Sequence, residues 1–328
     1  MKIAVVGVGA IGGYVGARLA LAGEDVTFIA RGANLEALRK NGIRLITAEG
    51  TEELPAVKAT SDYTAAGPQD MVILAMKAHQ VASVAAEVPR LFGSDTVVVP
   101  MQNGVPYWYF HGFSGPLAGT RLRSVDPTGS IGDSIPASRI VGCVVYPATE
   151  LLSHGVIKHV EGTRFPVGEP DGTASDRVRR VADAFTRAGL KSPVLEDIRS
   201  EIWLKLWGNM TFNPISALSR ATLASICQYG PTRQLAAQMM MEAQEVAEKL
   251  GATFRVPLEK RIAGAEKVGH HKTSMLQDVE AGRDLEIEAL LGAVVELARL
   301  TDTATPRLDA VYALTTLLDE SLRGARQG

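Results

Sequence analysis

The stretch Met1-Lys2-Ile3-Ala4-Val5-Val6-Gly7-Val8-Gly9-Ala10-Ile11-Gly12 decides the fold. Residues 3–6 form a short apolar run, the pattern of a strand buried on both faces. The run ends on Gly7, and Gly7, Gly9 and Gly12 have the spacing GxGxxG, ahead of a helical stretch over 10–22 that stops at Gly23. Alone, that spacing is a weak signal. Between a strand and a helix each glycine has a physical task. The first allows the tight turn, the second lets the backbone approach a diphosphate, and the third lets helix and strand pack closely. The helix N-terminus then meets negative charge with free N–H groups and the positive end of its dipole. Gly7, Gly9, Ala10, Ile11 and Gly12 are therefore the candidate dinucleotide-binding residues. A glycine-rich turn without a ligand is the alternative, and the agreement of strand, glycines and helix speaks against it.

Working outward, the pattern predicts strands at 25–29, 71–75 and 96–100 and helices at 34–41 and 80–91. Residues 43–47 and 57–60 look like a hairpin insertion. Later strands are expected at 139–146, 155–159 and 164–168. This alternation predicts an α/β fold with an N-terminal, Rossmann-type, doubly wound parallel sheet. After Pro193 the texture changes to long helices at 199–212, 234–250, 273–281, 285–300 and 306–323. An all-helical C-terminal domain is expected, with domains 1–196 (dinucleotide binding) and 197–328 (substrate and catalysis). Residues 107–136, rich in Gly, Pro and Ser, are the least predictable part of the chain.

A chain of 328 residues suits two such domains. Charged residues make up 21% and the net charge is −2, with the two signs mixed along the chain. With no basic block there is no electrostatic footprint for nucleic acid or an anionic membrane. No apolar run approaches the ~18 residues of a membrane span. Cys143 and Cys227 have no CxxC spacing and read as buried free thiols, which with the absence of a signal-like opening points to the cytoplasm. The six histidines show no ligand spacing, and no metal site is expected.

At the end of the second strand, NAD-binding folds place an acidic residue on the ribose 2′-hydroxyl. This chain has Ala30-Arg31-Gly32, and an arginine there suits a 2′-phosphate through bidentate charged hydrogen bonds, favouring NADP(H). Lys77, just past another strand's carboxyl end, could add a second positive charge. Arg31 could instead be a solvated surface cation, the less favoured reading, and for Lys77 an exposed loop lysine is an equal alternative. Asn103, in Gln102-Asn103-Gly104, could reach the nicotinamide-side ribose or a substrate, or could serve only the Asn-Gly turn.

In Lys205-Leu206-Trp207-Gly208-Asn209-Met210-Thr211-Phe212-Asn213 the polar Lys205, Asn209 and Asn213 recur every four residues and share one helix face. They are either a solvent stripe or a site. Asparagine and glycine are poor choices for a dispensable solvent face, and Pro214 is expected to kink or end the helix. The residue types suit carbonyl reduction: hydride attack leaves an alkoxide, a half-buried lysine can protonate it, and amides can hold hydroxyls and carboxylates. Ser274 and Glu286 lie too far apart on one helix to share a small ligand, but Gly282-Arg283-Asp284 offers a break, with Asp284 as a plausible N-cap. An ordinary helical hairpin with exposed Ser and Glu is the competing account.

Gly7–Gly12, Ala30-Arg31, Met76-Lys77-Ala78, Gln102-Asn103-Gly104, Lys205 to Pro214, Thr273-Ser274-Met275-Leu276-Gln277-Asp278 and Glu286-Ile287-Glu288 together resemble the ketopantoate reductase (2-dehydropantoate 2-reductase) family, in family order over nearly the whole chain. The resemblance implies NADPH-dependent reduction of a small-molecule 2-keto acid, with 2-dehydropantoate going to (R)-pantoate as in pantothenate biosynthesis. It implies Arg31 and Lys77 at the 2′-phosphate, Asn103 near nicotinamide and substrate, and Lys205 as general acid positioned by Glu286. Asn209 and Asn213 would contact the substrate hydroxyl region and Ser274 its carboxylate. The chain departs from the pattern at Leu223, where the family commonly has a further substrate-binding asparagine, and in the long aromatic stretch 106–138. Those departures leave open another 2-keto acid as substrate. A non-catalytic NADPH-binding sensor is the alternative from another class. A helical second domain is also of the kind that supports a homodimer.

Overall fold

A computed structural model describes residues 1–327. The chain divides into two compact units, the first made of residues 1–102, 107–121 and 128–198, the second of 103–106, 122–127 and the chain from Arg199 onward.

The first unit runs β1 (Lys2–Val6), α1 (Ala10–Leu21), β2 (Asp25–Ile29), α2 (Gly32–Asn41), β3 (Ile43–Thr47), β4 (Gly50–Leu54), β5 (Lys58–Thr60), α3 (Tyr63–Ala66), β6 (Gln69–Leu74), β7 (Phe92–Pro100), α4 (Ser130–Ser134), β8 (Gly142–Cys143), β9 (Ala148–Ser153), β10 (Val156–Glu161), β11 (Val167–Gly168) and α5 (Asp176–Arg187). A five-stranded parallel sheet has the order β5-β2-β1-β6-β7, with Ile3 of β1 opposite Val26 of β2 and Met71 of β6. This is the doubly wound arrangement expected. Strand order reverses beside β1, and the carboxyl ends there open the crevice in which such sheets bind ligands. Ile3, Val5, Phe28, Met71 and Ile73 are fully buried, as strands covered on both faces must be.

A second sheet, β4-β3-β10-β9, covers the outer side of α1. The helix lies so close to its neighbours that a Cβ at Gly16 would stand 2.4 Å from the Phe28 ring, and one at Gly13 2.7 Å from Ile157 of β10. The small residues of α1 are thus a packing requirement on both sides.

Several expectations are corrected here. The hairpin partner of β3 is β4, whereas Lys58–Thr60 is the edge strand of the parallel sheet, paired with β2. The stretch 50–54, Gly-Thr-Glu-Glu-Leu, is mostly exposed and carries no apolar alternation, so it left no strand signal. The helix expected at 80–91 is two short 3₁₀ turns, Ala78–Ser83 and Val88–Leu91, because Pro89 lacks a donor and valines crowd an α-helical turn. The strand expected at 139–146 is regular only at Gly142–Cys143, and that at 164–168 only at Val167–Gly168. Strand β9 and helix α5, capped by Ser175 accepting from the Val178 N–H, are elements the pattern did not predict.

The second unit continues α6 (Ile198–Ser219), α7 (Leu223–Gln228), α8 (Gly230–Lys249), α9 (Leu258–Lys267), α10 (Ser274–Glu280), a π-helical turn (Glu288–Gly292), α11 (Ala293–Leu300) and α12 (Pro306–Gln327). No strand occurs in it among the described residues, and no described helix is long and apolar enough to cross a membrane. Helix α6 continues through Pro214, which neither ends it nor exposes it. Its burial explains this: Trp203, Trp207 and Met210 are fully enclosed, the Trp207 indole N–H donates to the Met240 carbonyl at 2.7 Å, and packing outweighs one lost backbone bond. Cys143 and Cys227 are buried thiols.

Two glycines separate close packing from mere flexibility. Gly16→Ala forces its methyl onto the buried Phe28 ring and is expected to destabilise by about 1–3 kcal/mol. Gly264→Ala, on the open face of α9 with nothing within 4 Å of the new methyl, is expected to stabilise by about 0.5–1 kcal/mol. Urea denaturation of the two variants checks both signs.

Candidate active site

In the first unit the turn from β1 to α1 is set by backbone contacts. Gly7 has φ +92°, open to glycine and strained for other residues, and its N–H donates to the Ile29 carbonyl of β2 at 3.2 Å. A Cβ at Gly12 would lie 2.0 Å from the Gly7 carbonyl oxygen and 2.9 Å from the Ala75 side chain, so any side chain there would push helix from sheet. Gly9 differs: a Cβ at that position meets nothing within 4 Å. It caps α1 without a side-chain hydrogen bond, so the space and N–H groups at the helix start are left for a ligand.

A cleft of about 380 Å³ opens at these carboxyl ends. It is lined by Gly7, Gly9, Arg31, Asn34, Tyr63 and Met76, among others. Arg31 is exposed and begins α2 at the end of β2, the place expected for an adenosine-side cation. Ala10, Ile11 and Gly12 form the first turn of α1 directly behind Gly9. Lys77 succeeds Met76 and caps the 3₁₀ turn, half-buried just outside the lining.

Three further lining groups carry no signal in the sequence pattern. Asn34, one turn into α2, donates its amide N–H to the Val8 carbonyl at 2.8 Å and so fastens α2 to the glycine turn. Tyr63 lies just beyond the carboxyl end of β5, and burial pushes its phenol up to about 12, so it stays neutral. A hairpin arm at 57–60 would point nowhere near a ligand, so Tyr63 gains its meaning only once β5 joins the parallel sheet. His154, from the β9–β10 turn, lines the cleft as well, and β9 itself was unpredicted.

In the second unit the polar face of α6 is no solvent stripe. From Glu201 to Ala217 every residue is buried except Lys205 and Asn209, which are half-buried; Asn213 is 7% exposed. Lys205 Nζ donates to Asn103 Oδ1 at 2.7 Å. Asn103 is held there by a specific backbone device: the Val105 N–H donates to the Ala289 carbonyl at 2.9 Å, within the π-helical turn. Gly104, at φ +93°, passes so close that a Cβ would stand 2.2 Å from that same carbonyl oxygen. The wide π turn thus frees an acceptor that an α-helix would have used internally. Gly208, a poor residue for a helix, has its own reason: a Cβ there would collide with the Arg261 guanidinium of α9.

Ser274 is exposed in the first turn of α10, behind the Thr273 cap, whose hydroxyl accepts from the Leu276 N–H. The break expected at 282–284 exists, and Glu286 lies in the irregular segment just before the π turn, half-buried. Asp284 is not an N-cap: the helix begins three residues later, the Leu285 N–H is taken by Asp319 at 3.1 Å, and Asp284 pairs with Arg326 at 2.6 Å. Leu223 is the first residue of α7, its N–H donating to the His271 carbonyl at 3.1 Å. Among the described residues no group of three or more His, Cys, Asp or Glu stands close enough to hold a metal ion.

Comparison with known proteins agrees with this geometry. The family model for ketopantoate reductase PanE/ApbA matches residues 3–109, and that for its C-terminal part matches 197–319. A 2-dehydropantoate 2-reductase from Mesorhizobium japonicum is 54% identical over 97% of this chain and 98% of its own. Among solved structures, a ketopantoate reductase homologue from Ralstonia solanacearum MolK2 superposes with a TM-score of 0.93 at 43% identity, covering 98% of both chains. The 2-dehydropantoate 2-reductase of Geobacter metallireducens GS-15 superposes with a TM-score of 0.85 at 26% identity, covering 97% of this chain and 99% of that one. The chain belongs to the ketopantoate reductase family and is an oxidoreductase of that type.

Proposed function

We propose that the chain reduces 2-dehydropantoate to (R)-pantoate, the reductive step of pantothenate biosynthesis, with NADPH as the hydride donor and Lys205 as the general acid. The observation that carries this is the Lys205–Asn103 pair on an otherwise buried helix. A hydrogen bond to an amide oxygen favours the charged ammonium and aims it, which suits a proton donor.

The dinucleotide fits the residues present: Gly7 and Gly12 allow the close turn, Gly9 leaves space, and α1 offers free N–H groups. Arg31 and Lys77 would bind the 2′-phosphate. Bound there, the reduced nicotinamide supplies the hydride for the keto carbon. The electron pair of the C=O bond moves onto oxygen, and Lys205 Nζ delivers its proton to that alkoxide; the neutral amine then regains a proton from solvent. Asn103 orients Lys205 by accepting one of its three N–H bonds. Asn209 and Asn213 would hold the substrate hydroxyl, Ser274 its carboxylate, and Glu286 would orient the lysine.

One observation favours a second substrate within the same chemistry. Leu223 is half-buried and apolar where the family resemblance implies an amide. A 2-keto acid with a less polar side chain would suit it better.

Purified protein oxidising NADPH with 2-dehydropantoate faster than with any other 2-keto acid in a small panel supports the main reading. A clearly better keto acid would move the assignment to the second. Lys205→Ala is expected to cut kcat by about 10²–10⁴-fold while leaving NADPH binding intact, as titrated by cofactor fluorescence. Retained turnover would remove Lys205 as the acid. Gly104→Ala places a methyl against the Ala289 backbone and is expected to lower kcat by roughly 10- to 100-fold through displacement of Asn103. Unchanged kcat would show that Asn103 needs no such placement.

A further inference from the structure

The β9–β10 turn brings a histidine into the dinucleotide cleft. Ser153-His154-Gly155 is pinned beside α2: the Arg44 N–H donates to the Gly155 carbonyl at 2.8 Å. A Cβ at Gly155 would lie 2.8 Å from the Gly42 carbonyl oxygen and 4.0 Å from Leu38. Leu38 is one turn beyond Asn34, which itself lies one turn beyond the Arg31 cap. The turn is therefore held over the C-terminal half of the helix that Arg31 begins, and His154 lines the same cleft as Arg31, Asn34 and Ser61. Its ring is exposed, so it can reach a ligand there.

We infer that His154 is a specificity-determining residue for the cofactor, a proton-dependent second cation that faces the 2′-phosphate beside Arg31. This rests on the NADPH reading above. Histidine is the side chain whose ordinary titration spans physiological pH, and a phosphomonoester dianion rewards its protonated form. The titratable and charged groups bordering His154 are few. Arg31 and Tyr63 line the cleft; Arg44 of β3 and Glu53 of β4 line the adjoining hollow and pair with each other at 3.7 Å. Among the described residues no carboxylate lines the cleft to hold His154 in place of the phosphate. In acid the turn adds charge for NADPH and offers NADH, which lacks the 2′-phosphate, nothing equivalent.

The test is fluorescence titration of wild type, His154→Ala, His154→Lys and Arg31→Ala with NADPH and NADH at pH 6 and pH 8.5. Comparing variant with wild type at each pH cancels the titration of the cofactor itself. The expected result is that His154→Ala weakens NADPH binding about two- to fivefold at pH 6, the size of an exposed charge pair, and scarcely at pH 8.5. NADH binding is unchanged, and His154→Lys restores NADPH affinity at pH 6 and raises it above that of wild type at pH 8.5. The inference is overturned by an unaltered NADPH affinity at pH 6, by a loss independent of pH, or by an equal loss for NADH. If Arg31→Ala costs NADPH affinity while His154→Ala is silent, only the role of His154 falls. If wild type does not prefer NADPH and Arg31→Ala changes nothing, the NADPH reading falls first.

Discussion

At two positions where α1 meets the parallel sheet, Gly12 and Gly16, no side chain fits. The space at Gly12 is occupied by the Gly7 carbonyl and Ala75, and that at Gly16 by Phe28. Because the helix cannot move out, its first turn is fixed directly above the carboxyl end of β1, with its N–H groups unsatisfied by any side-chain cap. The cleft, its lining by Arg31 and Asn34, and the cover of the second sheet over α1 all depend on that close approach. A looser helix would admit larger residues but would give up the rigid anion-binding end that a dinucleotide needs.

The helical unit solves a different problem, that of placing a charge on a buried helix. Burial disfavours an ammonium, so the charged form needs acceptors already in position. Asn103 is such an acceptor at 2.7 Å, and its own position comes from backbone contacts with the π turn. In the proposed reaction, an amide fixed by the main chain would keep the same protonation state after the lysine gave up its proton, so the placement of Nζ would survive the transfer. Gly104 and the π-helical turn are the local irregularities that make this placement possible.

Much of this was legible in the residues. The glycine turn, the buried strands and the place of Arg31 emerge from apolar runs and glycine spacing, because both faces of the sheet are covered and its pattern is undiluted. The hidden parts have physical reasons. Strand β4 pairs through its backbone with mostly exposed side chains, so composition says nothing of it. Taking β5 for a hairpin arm conceals Tyr63, and the unpatterned β9 conceals His154. On α6 the period of four is visible, but solvent stripe and site share that period. Only burial on every other side separates them. The π turn is invisible in pattern, since a single widened turn leaves helical spacing almost unchanged.

The helical unit takes two short pieces of chain from within the sheet-bearing half. Residues 103–106 carry Asn103 and the bond from Val105 to Ala289; residues 122–127 are tied down where Glu296 accepts from the Arg123 and Ser124 N–H groups, each at 2.8 Å. The main chain therefore crosses between the units five times. For inheritance this means the halves are not interchangeable cassettes. A recombination event that joined the first 198 residues of one relative to the remainder of another would split both loops from the groups that hold them. Viable chimeras would have to carry matching versions of 103–106 and 122–127, so the two units are bound to evolve as one gene.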